Sequence, residues 1–158
     1  MKLKFYLSSI IIISVLFSSC KSAGKLYKNG SYDEAVVLAA KKLQKKPNDA
    51  STLDILSNAY RYAVEGHESR IRNFSNSNSD LRWENIYQEY NSLQYLYEAI
   101  RRSPSVFKIV QPTDYSSYIT TYKEEAGNAR FERGLELLDQ NNKQSSGLLI
   151  MNFNKPLH

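Results

Sequence analysis

The chain is poor in the residues that usually carry chemistry. It has one cysteine, Cys20, so no intramolecular disulfide can form and stability must come from packing. Its two histidines, His67 and His158, have no second His or Cys at metal-ligand spacing. His67 lies between Glu65 and Glu68 in a helical pattern and reads as a structural residue. The six glycines build neither a phosphate-cradling loop nor a Gly-x-Ser-x-Gly nucleophile turn. Acidic pairs such as Glu124-Glu125 are sequence neighbours, so they point to different faces of a helix and do not form a general acid/base pair. An enzyme is therefore not expected, nor a metal or a dissociable cofactor. Charge of one sign is also scarce. There are 21 Lys and Arg against 16 Asp and Glu, largely interspersed. The one basic cluster, Lys41-Lys42-Leu-Gln-Lys45-Lys46, reads as a solvated helix face or an anionic-lipid contact. No broad basic patch suggests nucleic acid as a partner.

Long apolar runs are limited to the N-terminus. Lys2 and Lys4 precede the apolar stretch 5–17, which contains four consecutive isoleucines, and Ser18-Ser19-Cys20 follows. The stretch holds about 13 residues, against roughly 20 for a helix that spans a bilayer. A charged start, a short apolar middle and small residues at the end are the pattern of a secretory signal. An ordinary signal would release a soluble chain, an uncleaved leader would be a marginal anchor, and a lipobox would leave a lipid on Cys20. Leu16-Phe17-Ser18-Ser19-Cys20 resembles the lipobox of bacterial lipoproteins, with Phe17 where leucine is usual. The resemblance implies cleavage between Ser19 and Cys20 and a diacylglycerol thioether on Cys20. The covalent lipid would be the chain's only prosthetic group and its tether to the membrane. Two or three acyl chains make a stable anchor at about 0.8 kcal/mol per buried CH₂. Lys21-Ser-Ala-Gly-Lys25 carries no acidic cluster, so the expected location is the cell envelope, at the periplasmic face of the outer membrane.

Beyond the leader the pattern is helical. Asn29-Gly30 suits a tight turn between two helices, and Tyr32 is placed to pack across it. Ala35 and Ala39 share one helical face, with Val36, Leu38 and Leu43 adding apolar area. Pro47 ends that helix, and Asn48-Asp49 offer caps to the next. Leu53, Leu56 and Tyr60 then form one stripe. Residues 22–62 resemble a tetratricopeptide repeat, whose period is about 34 residues. Ala23, Leu26, Gly30, Tyr32, Ala35 and Pro47 fall at signature places of a first repeat, and Leu53, Leu56 and Tyr60 at those of a second. Ser57 and Ser69 replace the small residues usual there, and no proline closes the second repeat.

Helix should continue through Ile71 and Phe74, weakened at Gly66, to a polar break at 75–80 with Ser79 or Asp80 as the next N-cap. Trp83, Ile86, Tyr90, Leu93, Tyr97 and Ile100 step by three and four along a long helix that ends near Arg101-Arg102. The two prolines of 104–113 suggest a linker with a short extended piece around Val106–Val110. A last long helix is expected from Asp114 to about Gln140. Its packing side would be Tyr115, Tyr118, Tyr122, Ala126 and Ala129, then Phe131, Gly134, Leu135 and Leu138. The tail 144–158 has no amphipathic pattern and is expected to be irregular. A one-base frame shift of a further repeat helix near Gly147 would encode residues of this kind, in which case the chain is a truncated member of a longer family; the alternative is a native apolar tail that folds back onto the last helix. The nucleotide sequence decides that point.

The expected organisation is a signal peptide (1–19), a lipidated tether (20–24), helical repeats (25–74), a break and long helix (75–103), a linker (104–113), a helix opening a further repeat (114–143) and the tail. The expected fold is all-α: stacked antiparallel hairpins in a short right-handed solenoid, which builds partner-binding surfaces. The expected function is a non-catalytic, membrane-anchored adaptor for protein partners. The alternative is a carbohydrate- or nutrient-binding surface lipoprotein, with Tyr87, Tyr95 or Tyr118 lining a groove, whereas most of the tyrosines lie at core spacing and read as packing.

Overall fold

The computed structural model describes residues 22–153, and the leader with Ser19 and Cys20 lies outside them. The described chain is all-α, with no strand among its residues. The helices are α1 (Ala23–Lys28), α2 (Tyr32–Lys45), α3 (Ala50–Ser75), α4 (Arg82–Arg101), α5 (Pro104–Val110) and α6 (Ser116–Phe153). None of these helices is long and apolar enough to cross a membrane.

Contacts divide the described residues into two units. One holds 22–64 and 96–113, the other 65–95 and 114–153. The units interleave along the chain instead of following the boundaries expected at 74 and 103. α3 runs unbroken through Gly66 and α4 through Tyr95, so each helix contributes to both units.

In the first unit, Gly30 makes the first turn. Its φ of +77° lies in the left-handed region that glycine adopts without a Cβ penalty. Around it the Ser31 N–H donates to Leu26 O at 3.0 Å and the Gly30 N–H to Tyr27 O at 3.1 Å. This crossed pair satisfies the end carbonyls of α1 and reverses the chain. Ser22 caps the start of α1, accepting from the Lys25 N–H at 3.2 Å. α2 then buries Ala35, Val36, Ala39, Ala40 and Leu43 along one side. These meet Leu26, Leu56, Ala59, Ala63, Leu96, Ile100 and Val106 in one core. Alanines at Ala35, Ala39 and Ala59 are fully buried, so side-chain volume does not hold the helices apart there. α2 stops at Lys45, ahead of Pro47. Asp49 takes the capping role for α3, its Oδ1 accepting from the Thr52 N–H at 3.0 Å.

The expected linker is a correction. Residues 104–110 form helix α5, with Pro104 in its first turn and Gln111 ending it at φ 49°. Proline's fixed φ suits a first helical position, where its missing N–H costs nothing. The β-branched residues that suggested an extended piece are held helical by burial: Val106 enters the core, and Phe107 meets Tyr97 edge-on at 5.7 Å.

In the second unit, Ser79 rather than Asp80 opens α4, its Oγ accepting from the Leu81 N–H at 3.2 Å. The seam of α4 alternates in character. Ile86, Leu93 and Ile100 are fully buried, the last of them in the first unit. The aromatics between them are half-buried and paired with other rings. Trp83 meets Tyr122 at 6.0 Å, and Tyr90 stacks between Tyr118 at 4.9 Å and Tyr122 at 5.1 Å.

Two expectations for α6 need correction. The backbone stays helical to Phe153, where an irregular tail was expected from 144. Leucine, methionine and glutamine are good helix formers, and no proline intervenes before Pro156. The packing side also does not include Phe131, Leu135 and Leu138. The stripe that buries Tyr115 and Ala126 continues to Ala129 and Arg133, whereas Phe131 lies roughly 140° around the helix from Ala126.

Candidate functional site

The signature positions of the first hairpin are structural in their placement. Gly30 makes the turn, Ala35 and Leu56 are fully buried, and Leu53 and Tyr60 pack against the same core. Pro47 lies in the α2–α3 turn. Tyr32 joins a cluster with Tyr27 at 5.8 Å and Tyr62 at 5.1 Å, the latter stacked. Its partner across the turn is therefore an aromatic ring, and Tyr62 extends the cluster from α3. The Tyr60 hydroxyl accepts from the Thr113 N–H at 3.1 Å, which ties the segment after α5 back to α3.

Ion pairs organise the second unit. His67 is buried, and its Nδ1 lies 2.5 Å from Glu89 Oε2. Arg70 Nε donates to the other carboxylate oxygen of Glu89 at 2.9 Å. Glu89 thus joins α3 to α4 across 22 residues of sequence, and no local pattern reveals it. Glu84 of α4 plays the matching part for α6, pairing with Arg130 and, at 3.6 Å, with Arg133. No group of His, Cys, Asp and Glu able to hold a metal ion occurs among the described residues.

Burial, reinforced by the neighbouring Tyr122, Tyr118 and Tyr115, pushes the Tyr90 hydroxyl up to about 12. Tyr87 is half-buried, while Tyr95 and Tyr118 are exposed, and Tyr118 has one face against Tyr90. None of the three lines either of two surface clefts.

The first cleft, of about 540 Å³, lies in the first unit against Leu38, Lys41, Lys42 and Lys45 of α2, with the starts of α1 and α3. The second, about 340 Å³, lies in the second unit beside Trp83, Asp80, Arg82, Glu132, Arg133 and Glu136. Arg82 stacks its guanidinium 4.3 Å above the Trp83 ring, and Tyr122 packs on the same indole, so the ring is already partnered.

The most unusual surface is on α6. Phe131, Leu135 and Leu138 are 68%, 51% and 61% exposed, and they share one face by their spacing of four and three. Gly127 and Gly134 border this stripe, seven residues apart, with open space where a Cβ would stand. On the opposite border stand the exposed acidic residues Glu132 and Asp139, the latter paired with Lys143 at 2.6 Å.

No protein-family model matches the chain, and neither the curated proteins nor the solved structures yield a match.

Proposed function

We propose that the chain is a membrane-tethered, non-catalytic binding module: a bacterial lipoprotein anchored through Cys20, with helical hairpins of tetratricopeptide type presenting a protein-binding surface in the cell envelope. The observation that carries the binding role is the face of α6. Three large apolar side chains in a row on an exposed face are what a protein partner covers. A glycine in a helix interior costs roughly 1 kcal/mol relative to alanine. Two of them beside the stripe make sense where a second helix approaches closely. Glu132, and Asp139 once Lys143 releases it, suit an amphipathic partner helix whose apolar stripe is edged by lysine or arginine.

The carbohydrate reading has less support. Tyr87, Tyr95 and Tyr118, the residues expected to line a groove, border neither surface cleft, although Tyr95 is open to solvent.

Site-specific photocrosslinking in intact envelopes tests the adaptor. A photoreactive residue at Leu135 should give a discrete protein adduct, while one at Tyr95 should not. The adduct should disappear when Glu132 and Asp139 are both changed to lysine. No adduct at Leu135, or one indifferent to those charges, would sink the reading. The anchor is tested separately by acyl mass on the N-terminal peptide and by release of a Cys20→Ala chain from the membrane fraction.

A further inference from the structure

The lysine-lined cleft of the first unit is left unexplained by a protein-binding role on α6. Leu38, Lys41, Lys42 and Lys45 fall on one side of α2 because their spacings are three, one and three. Facing them are Ser51, Thr52 and Ile55 from the start of α3, and Ser22, Ala23 and Gly24 from the start of α1. The apolar part of the wall comes from Leu38, Ile55 and Ala23. Gly24 is close enough to Ile55 that a Cβ on it would stand 3.4 Å from Ile55 Cδ1. The cleft is therefore amphipathic, with an apolar wall and an ammonium rim.

The three lysines are not equivalent. Lys42 is fixed, its Nζ donating to Thr52 Oγ1 at 2.9 Å and lying 2.8 Å from Asp49 Oδ2. Lys41 and Lys45 are exposed and form no ion pair among the described residues. Three cations against the single Asp49 carboxylate leave the rim positive. Lysine serves anionic oxygens as a flexible point charge, which suits a phosphate.

Position decides among phosphate-bearing ligands. Ser22 lines the cleft, and Cys20 precedes it by two residues. Two residues of chain span at most about 7 Å. The headgroup layer on each side of a bilayer is roughly 5–8 Å thick. A lipid on Cys20 thus brings the cleft to headgroup depth, where each lysine near an anionic surface adds about fivefold to binding.

We propose that this cleft seats the phosphate group of an anionic lipid headgroup beside the tether, with Lys41 and Lys45 closing on the phosphate oxygens and Lys42 held in place by Asp49 and Thr52. The lipid source, as opposed to a free phosphate ester, rests on the anchor reading above. The lipidated full chain, reconstituted into vesicles and pulsed with an amine-acetylating reagent, tests it by mass spectrometry. In phosphatidylglycerol-containing vesicles, Lys41 and Lys45 should acetylate about fivefold or more slowly than in pure phosphatidylcholine. Lys123 and Lys143 should not change. Adding inorganic phosphate to the phosphatidylcholine vesicles distinguishes the sources. Equal protection by phosphate alone would assign the cleft to soluble phosphate esters and overturn the membrane assignment. Unchanged rates in every condition would overturn the site altogether. The same spectra report the acyl mass on Cys20, so a missing anchor is told apart from a cleft that fails on a chain that carries one.

Discussion

Gly30 and Tyr90 show how single residues set the chemistry of this fold. At Gly30 a Cβ would meet nothing within 4 Å, so the demand for glycine is purely conformational, from a φ of +77°. Gly30→Ala should destabilise the chain by roughly 1–2 kcal/mol, the penalty of a left-handed residue with a Cβ. Gly30→Asn should lose less, and urea unfolding of the two variants measures the difference. Tyr90 makes a prediction about pH. Its hydroxyl is raised from 10.0 to about 12 by burial and the tyrosines around it. The folded state therefore favours the neutral phenol. That contribution is complete below pH 10 and is lost as pH rises from about 10 towards 12. Ultraviolet titration should show a tyrosine phase near pH 12, and Tyr90→Phe should remove that phase and flatten the alkaline fall in stability. Asp49 behaves in the opposite sense. The hydrogen bond from Lys42, and then the Thr52 N–H, hold its carboxyl down at about 2. It thus stays charged beside Lys42 of the cleft through the ordinary pH range.

Among the helices, α6 separates stability from binding. Gly134 lies in an open part of a helix interior, so Gly134→Ala should raise stability by about 1 kcal/mol. The same methyl would stand where a partner helix approaches, so crosslinking from Leu135 should fall. A thermal melt and the crosslinking yield should move in opposite directions. Their rising together would show that no close helix contact is made there. The seam of α4 was legible in sequence because its spacing of three and four is local. Which of its residues would be fully buried was not, since that depends on α6 supplying Tyr118 and Tyr122 to cover Tyr90. α5 departs from its local sequence pattern for a related reason. Val106, Ile109 and Val110 favour extended backbone in isolation, and only the buried place of Val106 and the ring of Tyr97 make helix the better outcome.

At the scale of the whole molecule, α3 and α4 are continuous through both units, which implies that the units unfold together. Leu56 in the first unit and Leu93 in the second are both fully buried. Each substitution by alanine should cost about 2–5 kcal/mol. Both should shift the same single transition, seen by circular dichroism and by hydrogen exchange in either unit. Two separate transitions, each moved by only one variant, would contradict this.

Composition and periodicity were enough to determine an all-α chain, the turn at Gly30, the stop at Pro47, the seam of α4 and the absence of a disulfide within this sequence. Each follows from local backbone preference or from spacing within one helix. Tertiary structure decided which apolar stripe of α6 is buried and which is left open, that 104–110 is helical, that His67 and Arg70 converge on Glu89, and that the lysines of α2 line a cleft with Ser22. These depend on residues far apart in sequence meeting in space, and periodicity within a single helix carries no information about its neighbours.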